Sequence, residues 1–290
     1  MNSGRLGIGL IGVGKSGPII ASSLRAAGHE IIGVAARSAD AIERADAFLP
    51  GVPVLSIEEL VGQSELVLLA LPDEQIAPLV AGLAELGAWK MGTILVHLAG
   101  PYGTGILAPA QAQGAIPVAI HPTIRFTGWS VDLQRLSGAP FLVTAPAPFL
   151  PIAQALVVEM GGEPIIIEED ARPGVHAALT LGVNGIAMAV IRAFEALKAQ
   201  GIEEPSLIAG TLFGQTTDVA LSEGEAAIAA PITRADAEVV RSHVKALAAL
   251  GDDALNAYEA GVRDAVTMLL CRARLNERDA DAVRSALLEG

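Results

Sequence analysis

The stretch from Leu6 to Ser38 constrains the fold more than any other part of the chain, because it reads as strand, glycine turn, helix and second strand in immediate succession. Leu6 to Ile11 is a short apolar run suited to a buried parallel strand, and Pro18 to Ala27 gives a helix that Gly28 can end. Between them lies Gly12-Val13-Gly14-Lys15-Ser16-Gly17. Gly12 permits the tight reversal, Gly14 lets a pyrophosphate approach the backbone, and Gly17 lets the helix pack closely on the strand. The phosphates would then sit on unpaired amides at a helix N-terminus, where the helix dipole favours negative charge. Glycine spacing alone says little in a chain with 31 Gly. Set between a strand and a helix, it points to dinucleotide binding.

The end of the second strand selects the nucleotide. An NAD site usually places Asp or Glu about 20 residues beyond the glycines, to bond the ribose hydroxyls. This chain has Ala35-Ala36-Arg37-Ser38 instead. A guanidinium and a hydroxyl at that tip suit a 2′-phosphate, which predicts NADP(H) over NAD. The alternative is that Arg37 is a solvated residue at a helix start. Leu71 and Pro72 close the next apolar strand, Glu65 to Leu71, and are expected beside the adenosine-pyrophosphate portion.

Further strands are read at Val52–Leu55, Thr93–Leu98, Ile116–Ile120, Phe141–Thr144 and Pro164–Glu168, with helices at Ser38–Phe48, from Glu74, and at Pro148–Met160. From Asp170 onward the pattern is helical alone. The expected architecture is therefore a doubly wound, mostly parallel α/β domain over 1–169 and an all-helical substrate and dimerisation domain over 170–290. Later helices are read at Pro205–Leu221, Thr233–Leu250 and Asp252–Arg274, with a last one opening at Glu277 or Asp279.

At 290 residues and 52% hydrophobic content, the chain can build both domains. Aromatics make up only 3%, so Ala, Leu, Val and Ile must fill the interior. A net charge of −13 argues against nucleic-acid or anionic-membrane partners, whose phosphates repel such a surface. An anionic cofactor must therefore be held by local donors: the turn amides, Lys15, Ser16 and Arg37. The single cysteine, Cys271, excludes an internal disulfide, and the first residues leave no room for a signal peptide, so a cytoplasmic location is expected.

The first helix of the second domain, about Gly174 to Gln200, carries no charged residue from Val175 to Ile191. That run is shorter than the ~20 residues of a usual membrane span, and it includes His176, Thr180 and Asn184. A helix apolar on nearly every side is more simply buried in protein. The rest of the domain is too small to surround it, which predicts a homodimer through the helical domain.

His176, Thr180 and Asn184 follow one another at four-residue spacing along one ridge, where buried polar groups need partners that a small-molecule substrate could supply. Bonds to neighbouring backbone or water are the alternative. His97 and His121 end successive strands, where open α/β sheets bind ligands. Thr233-Arg234-Ala235-Asp236 fits a capping box, leaving Arg234 to hold a substrate carboxylate and Asp236 either to cap or to bind. His243 reads as a core-edge residue. The five histidines have no close spacing and no HExxH, so no metal site is expected. GxSxG and CxxC motifs are also absent from the sequence, which argues against acyl hydrolysis and dithiol chemistry.

Taken together, the glycine turn, Val96-His97-Leu-Ala-Gly100, His121-Pro122-Thr-Ile-Arg-Phe126, Val175-His176 followed by Asn184, and Pro231-Ile-Thr-Arg234-Ala-Asp236 with His243 resemble a known family. It is the Rossmann-like oxidoreductases whose C-terminal part is the domain of unknown function 2520, relatives of ketopantoate reductase, pyrroline carboxylate reductase and the β-hydroxyacid dehydrogenases. Ala99 stands where the family more often has serine, and Ala230 and Ala235 stand at expected glycines. Thr180 occupies the position, four residues before Asn184, at which β-hydroxyacid dehydrogenases carry lysine. The resemblance implies an NADPH-dependent reductase of a C=O or C=N group on a small, carboxylate-bearing metabolite. His176 or His121 would be the general acid, Asn184 would orient the reacting group, and Thr180, His97, Arg234 and Asp236 would contact substrate. The alternative is an NADP(H)-binding redox sensor or partner-binding module without turnover.

Overall fold

In the computed structural model, which describes residues 5–289, short apolar runs bounded by turns become the strands of one sheet. They are β1 (Gly7–Ile11), β2 (Glu30–Ala35), β3 (Leu66–Leu69), β4 (Ile94–His97), β5 (Ile116–Pro122), β6 (Pro140–Thr144) and β7 (Glu163–Ile166). The helices of this part are α1 (Gly17–Ala26), α2 (Ala39–Phe48), α3 (Ile57–Gln63), α4 (Asp73–Glu85), α5 (Ala108–Gln111), α6 (Val131–Arg135) and α7 (Leu150–Glu159). The strand order is β2-β1-β3-β4-β5-β6-β7. All neighbours are parallel except β5 and β6. This is the doubly wound, Rossmann-like sheet expected from the sequence.

Alternation along the strands divides the core between the two faces of the sheet. Ile8, Leu10, Leu66 and Leu68 pack with Ile19, Ile20 and Val157 from α1 and α7 on one face. Ile11, Val67, Leu69 and Leu95 pack with Leu60, Ile76, Val80 and Trp89 from the α3 and α4 side on the other. Burial on both faces explains why the strands read as continuous apolar runs. The order reverses at β1, because the chain passes from β1 to β2 on one side and returns to β3 on the other. A crevice therefore opens at the C-terminal ends of β1 and β3, where such sheets take ligands.

Two local expectations change. The strand read at Val52–Leu55 is only an isolated bridge, Val34 to Val54. Ile57–Gln63 is instead a helix, started by a capping box in which Ser56 and Glu59 satisfy each other's backbone amides. The helix read from Thr233 to Leu250 is divided, because Ala235 takes a left-handed conformation (φ 53°). Such a residue cannot continue a right-handed helix.

Among the described residues every element after β7 is helical: α8 (Arg172–Ala199), α9 (Pro205–Glu223), α10 (Ala230–Thr233), α11 (Ala237–Ala248), α12 (Asp252–Cys271) and α13 (Glu277–Leu288). The chain divides into two compact units, Met1–Leu179 and Thr180–Gly290, so their limit falls inside α8. The second unit has its own core of Val240, Val244, Val262, Val266, Leu269 and Val283, drawn from α11 to α13. By length and composition the helical stretch Glu169–Ala199 could cross a membrane, and none of its apolar window is buried. Leu181 and Leu207, on α8 and α9, are each 77% exposed.

Candidate functional site

β1 delivers the chain to Gly12, whose φ of 98° turns it sharply. A Cβ at Gly12 would overlap the Ala70 carbonyl, and one at Gly17 would overlap the Gly12 carbonyl. Only glycine fits either place, and α1 thereby starts directly against β1 and β3. At Gly14 a Cβ would meet nothing within 4 Å, which leaves the backbone open to a ligand. Arg44 of α2 donates to the Val13 carbonyl at 2.7 Å and pins the turn from the side.

A cavity of about 660 Å³ opens here, bordered by Gly12, Val13, Arg37, Ser38, Glu58 and Leu71 among others. Five of the sequence-read cofactor residues thus meet around one space. Gly14, Lys15, Ser16, Gly17 and Pro72 are not on its wall; Lys15 lies beside Gly128 instead. Ser38 caps α2 by accepting from Ala41 N at 3.2 Å, which leaves its hydroxyl hydrogen free to donate. Arg37 forms no ion pair among the described residues. Arg44 and Glu58 escaped the sequence reading, although the Ser56-x-x-Glu59 box that starts α3 would have placed Glu58 at a helix start near this edge.

A second polar group lies at the C-terminal ends of β4 and β5. His97 is wholly buried: its Nδ1 accepts from Ala99 N at 3.2 Å, and its Nε2 donates to the Gly103 carbonyl at 2.8 Å. Both nitrogens are engaged by backbone, so the structure makes His97 a brace for the 99–103 turn and turns it away from a substrate. Burial pushes its pKa down to about 4, the Gly103 bond opposing only in part.

His121 donates from Nδ1 to the Leu98 carbonyl at 2.9 Å, and burial holds its pKa below the usual histidine range. Its ring meets that of His176 edge to face, centroids 6.0 Å apart. Asp73, first residue of α4, carries a carboxyl raised by burial and drawn back by the charges of His176 and His121. Nothing local in Pro72-Asp73 signals two histidines brought in by β5 and α8.

Arg172, also unmarked in the sequence, fixes this edge. Its fully buried guanidinium donates to Thr144 Oγ1 and to the carbonyls of Ala99, Gly100, Ala119 and Leu142 at 2.7–3.3 Å. Burial lowers its pKa to about 10, so it remains a cation at neutral pH. Glu169 accepts from Thr104 N, Thr104 Oγ1 and Gly105 N, closing the neighbouring 3-10 turn.

Thr180 and Asn184 follow His176 at helical spacing on α8, and both are exposed. Asp236 is itself the N-cap of α11, accepting from Val239 N at 3.2 Å, where the sequence had suggested Thr233 as the cap. Arg234 is exposed and has no ion-pair partner among the described residues. His243 bonds the Tyr258 hydroxyl at 2.9 Å. Among the described residues no group of three or more His, Cys, Asp or Glu side chains could hold a metal.

Comparison with known proteins matches residues 1–122 to the Rossmann-like domain and residues 139–264 to the domain of unknown function 2520. No curated protein sequence matches significantly. A protein from Thermotoga maritima shares the fold at 20% identity and a TM-score of 0.68, over 92% of this chain and 99% of its own. The imine reductase from Myxococcus stipitatus, in complex with NADP+, does so at 13% and 0.66 over 98% and 100%. The reductive aminase from Aspergillus terreus, in complex with NADPH and ethyl levulinate, does so at 16% and 0.61 over 97% and 99%.

The buried histidine predicts an acid-sensitive fold. His97 keeps its neutral form down to about pH 4 in the native state, whereas in the unfolded chain it protonates near 6.5. Its contribution is therefore complete above about pH 6.5 and is lost as pH falls toward 4, a change on the order of 3 kcal/mol. Thermal melts of His97→Gln should show lower stability than wild type at pH 8 and a gap that narrows toward pH 4. A gap independent of pH would show that His97 does not titrate in this way.

Proposed function

Because the chain matches the Rossmann-like domain over residues 1–122 and the domain of unknown function 2520 over residues 139–264, we propose that it is an NADPH-dependent reductase. The substrate is a small carboxylate-bearing metabolite whose C=O or C=N group is reduced. The observation that carries this reading is the cavity at the glycine turn with Arg37 and Ser38 on its wall. The open approach at Gly14 suits a pyrophosphate, and the Arg37 guanidinium suits a 2′-phosphate better than a bare ribose. Complexes of the similarly folded imine reductase with NADP+ and of the reductive aminase with NADPH support the same assignment.

When bound, the nicotinamide supplies the hydride; the chain supplies orientation and a proton. Gly12 to Gly17, Lys15 and Ser16 hold the pyrophosphate at the start of α1, while Arg37 and Ser38 hold the 2′-phosphate. Leu71 and Pro72 border the adenosine. His176 or His121 gives the proton, and an imidazole is suited to do so near neutral pH. Asn184 orients the carbonyl or imine, Thr180 adds a polar contact and Arg234 pairs with the carboxylate. Asp236, with one oxygen already on Val239 N, assists only through the other.

The same reading includes a second copy of this chain. The uncharged run of α8 and the apolar residues of α9 lie outside the core of the second unit, which α11 to α13 build with Ile228 and Ile232 packed against it. Apolar exposure that continues over two helices fits protein packing better than a single membrane span. A cytoplasmic enzyme acting as a homodimer through its helical part is the resulting proposal.

Three outcomes are expected. Calorimetry should show NADPH binding more tightly than NADH, and Arg37→Ala should remove most of that preference; tighter NADH binding by the wild type would overturn it. A screen of 2-keto acids, ketopantoate and cyclic imines, followed by NADPH absorbance, should find turnover. Asn184→Ala should depress that turnover about a hundredfold or more with NADPH affinity intact. Binding without turnover across the screen would favour the sensor alternative. Sedimentation at micromolar concentration should give a dimer, and a stable monomer would remove the second copy.

A further inference from the structure

Arg44 is a half-buried cation that the cofactor contacts given above leave out. From α2 its Nη1 donates to the Val13 carbonyl at 2.7 Å, a charge-assisted bond that reaches across to the glycine turn. Asp40 lies four residues earlier, at the spacing of helical ion pairs, yet Arg44 makes no ion pair among the described residues. Its charge is spent on one neutral acceptor, and its remaining N–H groups have no partner among the described residues. Two cations flank the turn. Lys15 has its stem beside Gly128, and Arg44 is the one bonded to the turn's backbone.

The place of that bond sets the direction of the next amide. The Val13 carbonyl and the Gly14 N–H belong to one peptide unit, and a trans unit points the two in opposite directions. By drawing the carbonyl toward α2, Arg44 turns the Gly14 N–H away from α2. That N–H has no partner among the described residues, and Gly14 is exposed, with nothing within 4 Å of the place where a side chain would begin. Val13 is buried and lies on the cavity wall. A clamped carbonyl on one side and an open, unpaired amide on the other suit an anion at the turn. The 2′-phosphate contact proposed at Ser38 lies six residues before Arg44, about 9 Å along the axis of α2, so the anion within reach of this pair is the diphosphate.

We propose that Arg44 is a positioning residue of the nucleotide site, which holds the Val13–Gly14 peptide so that the Gly14 amide is aimed at the cofactor's diphosphate and which places a positive charge behind that amide. This deepens the nucleotide-binding part of the reductase reading and rests on it. An unclamped turn would have to fix this peptide plane as the ligand binds, at a loss of affinity; a turn fixed in advance escapes that loss. The charge acts at short range, where the field of distant carboxylates is largely screened. Both effects fall on the diphosphate, which NADPH and NADH share. Neither reads the 2′-phosphate assigned to Arg37.

The test is calorimetry of NADPH and NADH on the full chain, with Arg44→Met and Arg44→Lys beside the wild type. Arg44→Met keeps the stem and removes the donor and the charge; it should weaken both nucleotides by the same factor, about tenfold, and so leave the preference between them unchanged. Arg44→Lys, which keeps a charge and a donor for Val13, should recover most of the loss. In amide NMR spectra, NADPH should shift the Gly14 resonance of the wild type strongly and that of Arg44→Met less. Affinities within about twofold of wild type in Arg44→Met, or no recovery with lysine, would overturn the proposal. Loss of the NADPH preference would overturn it too, by moving Arg44 to the 2′-phosphate. Arg44→Gln, which can still donate to Val13 without a charge, is read in place of the methionine variant should that one fail to fold; it should fall between methionine and lysine. Wild type that binds neither nucleotide would remove the cofactor reading itself, whereas failure of the present inference shows only in the variants, so the two are distinguishable.

Discussion

The guanidinium of Arg172 is the interaction on which the sheet edge depends. Its five N–H groups meet neutral acceptors on Ala99 and Gly100 just beyond β4, on Ala119 within β5, and on Leu142 and Thr144 of β6. Burying a cation this way costs several kcal/mol, and it is tolerable because every donor is satisfied and the strand-end carbonyls would otherwise be orphaned. The arrangement ties the turn after β4 to β5 and β6 as one rim. It also fixes the first turn of α8, so that His176, one turn further on, reaches Gly100 at a set height. Loss of any one acceptor would leave a buried donor unmet, which makes the rim cooperative.

That rim separates two kinds of electrostatics. In the proposed reading an acidic chain holds a polyanion at the glycine turn against its own net charge of −13. The elements proposed to do so are fixed and short-range: backbone amides, the start of α1, and Arg37 on the cavity wall. Screening over about 8 Å in physiological salt confines the unfavourable field of distant carboxylates, whereas contacts at hydrogen-bond distance escape it. Glu58 is the one acid on that wall among the residues named, and it stands opposite the role given to Arg37. At the far end of the rim the problem is reversed. There Arg172 makes the surroundings cationic, and burial holds the His121 imidazole below the usual histidine range.

How much of this was legible follows from the range over which each requirement acts. The glycine turn is a local requirement on φ and on close approach, so Gly12, Gly14 and Gly17 announce it in six residues. The central strands β1, β3 and β4 are equally plain, since burial on both faces favours an unbroken apolar run. Arg172 and Asp73 gave no such signal, because their partners come from strands and helices that only the folded sheet brings together. His97 was misread for a different reason. Its place at a strand end suggested a ligand, but alternation puts it on the same face as Leu95, which packs inward against α4. The helix at Ile57–Gln63 was missed although Ser56 and Glu59 spell its capping box, because a seven-residue helix shows too few turns for periodicity to register.

The helical part poses the opposite case, a sequence signal stronger than the single chain can use. Val175 to Ile191 contains no charge, and in a chain that is 18% charged such a run is not neutral filler. The core of the second unit is complete without it, closed by Val240, Val244, Val262 and Val266. An uncharged helix that its own unit does not bury keeps the hydrophobic driving force available for another surface. The polar members of that run, His176, Thr180 and Asn184, recur every fourth residue and so share one ridge, leaving the remaining faces apolar. A helix divided in this way can bury its apolar faces in protein while directing its polar ridge to a ligand, which a lipid-embedded span of the same composition could not do without leaving that ridge unsatisfied.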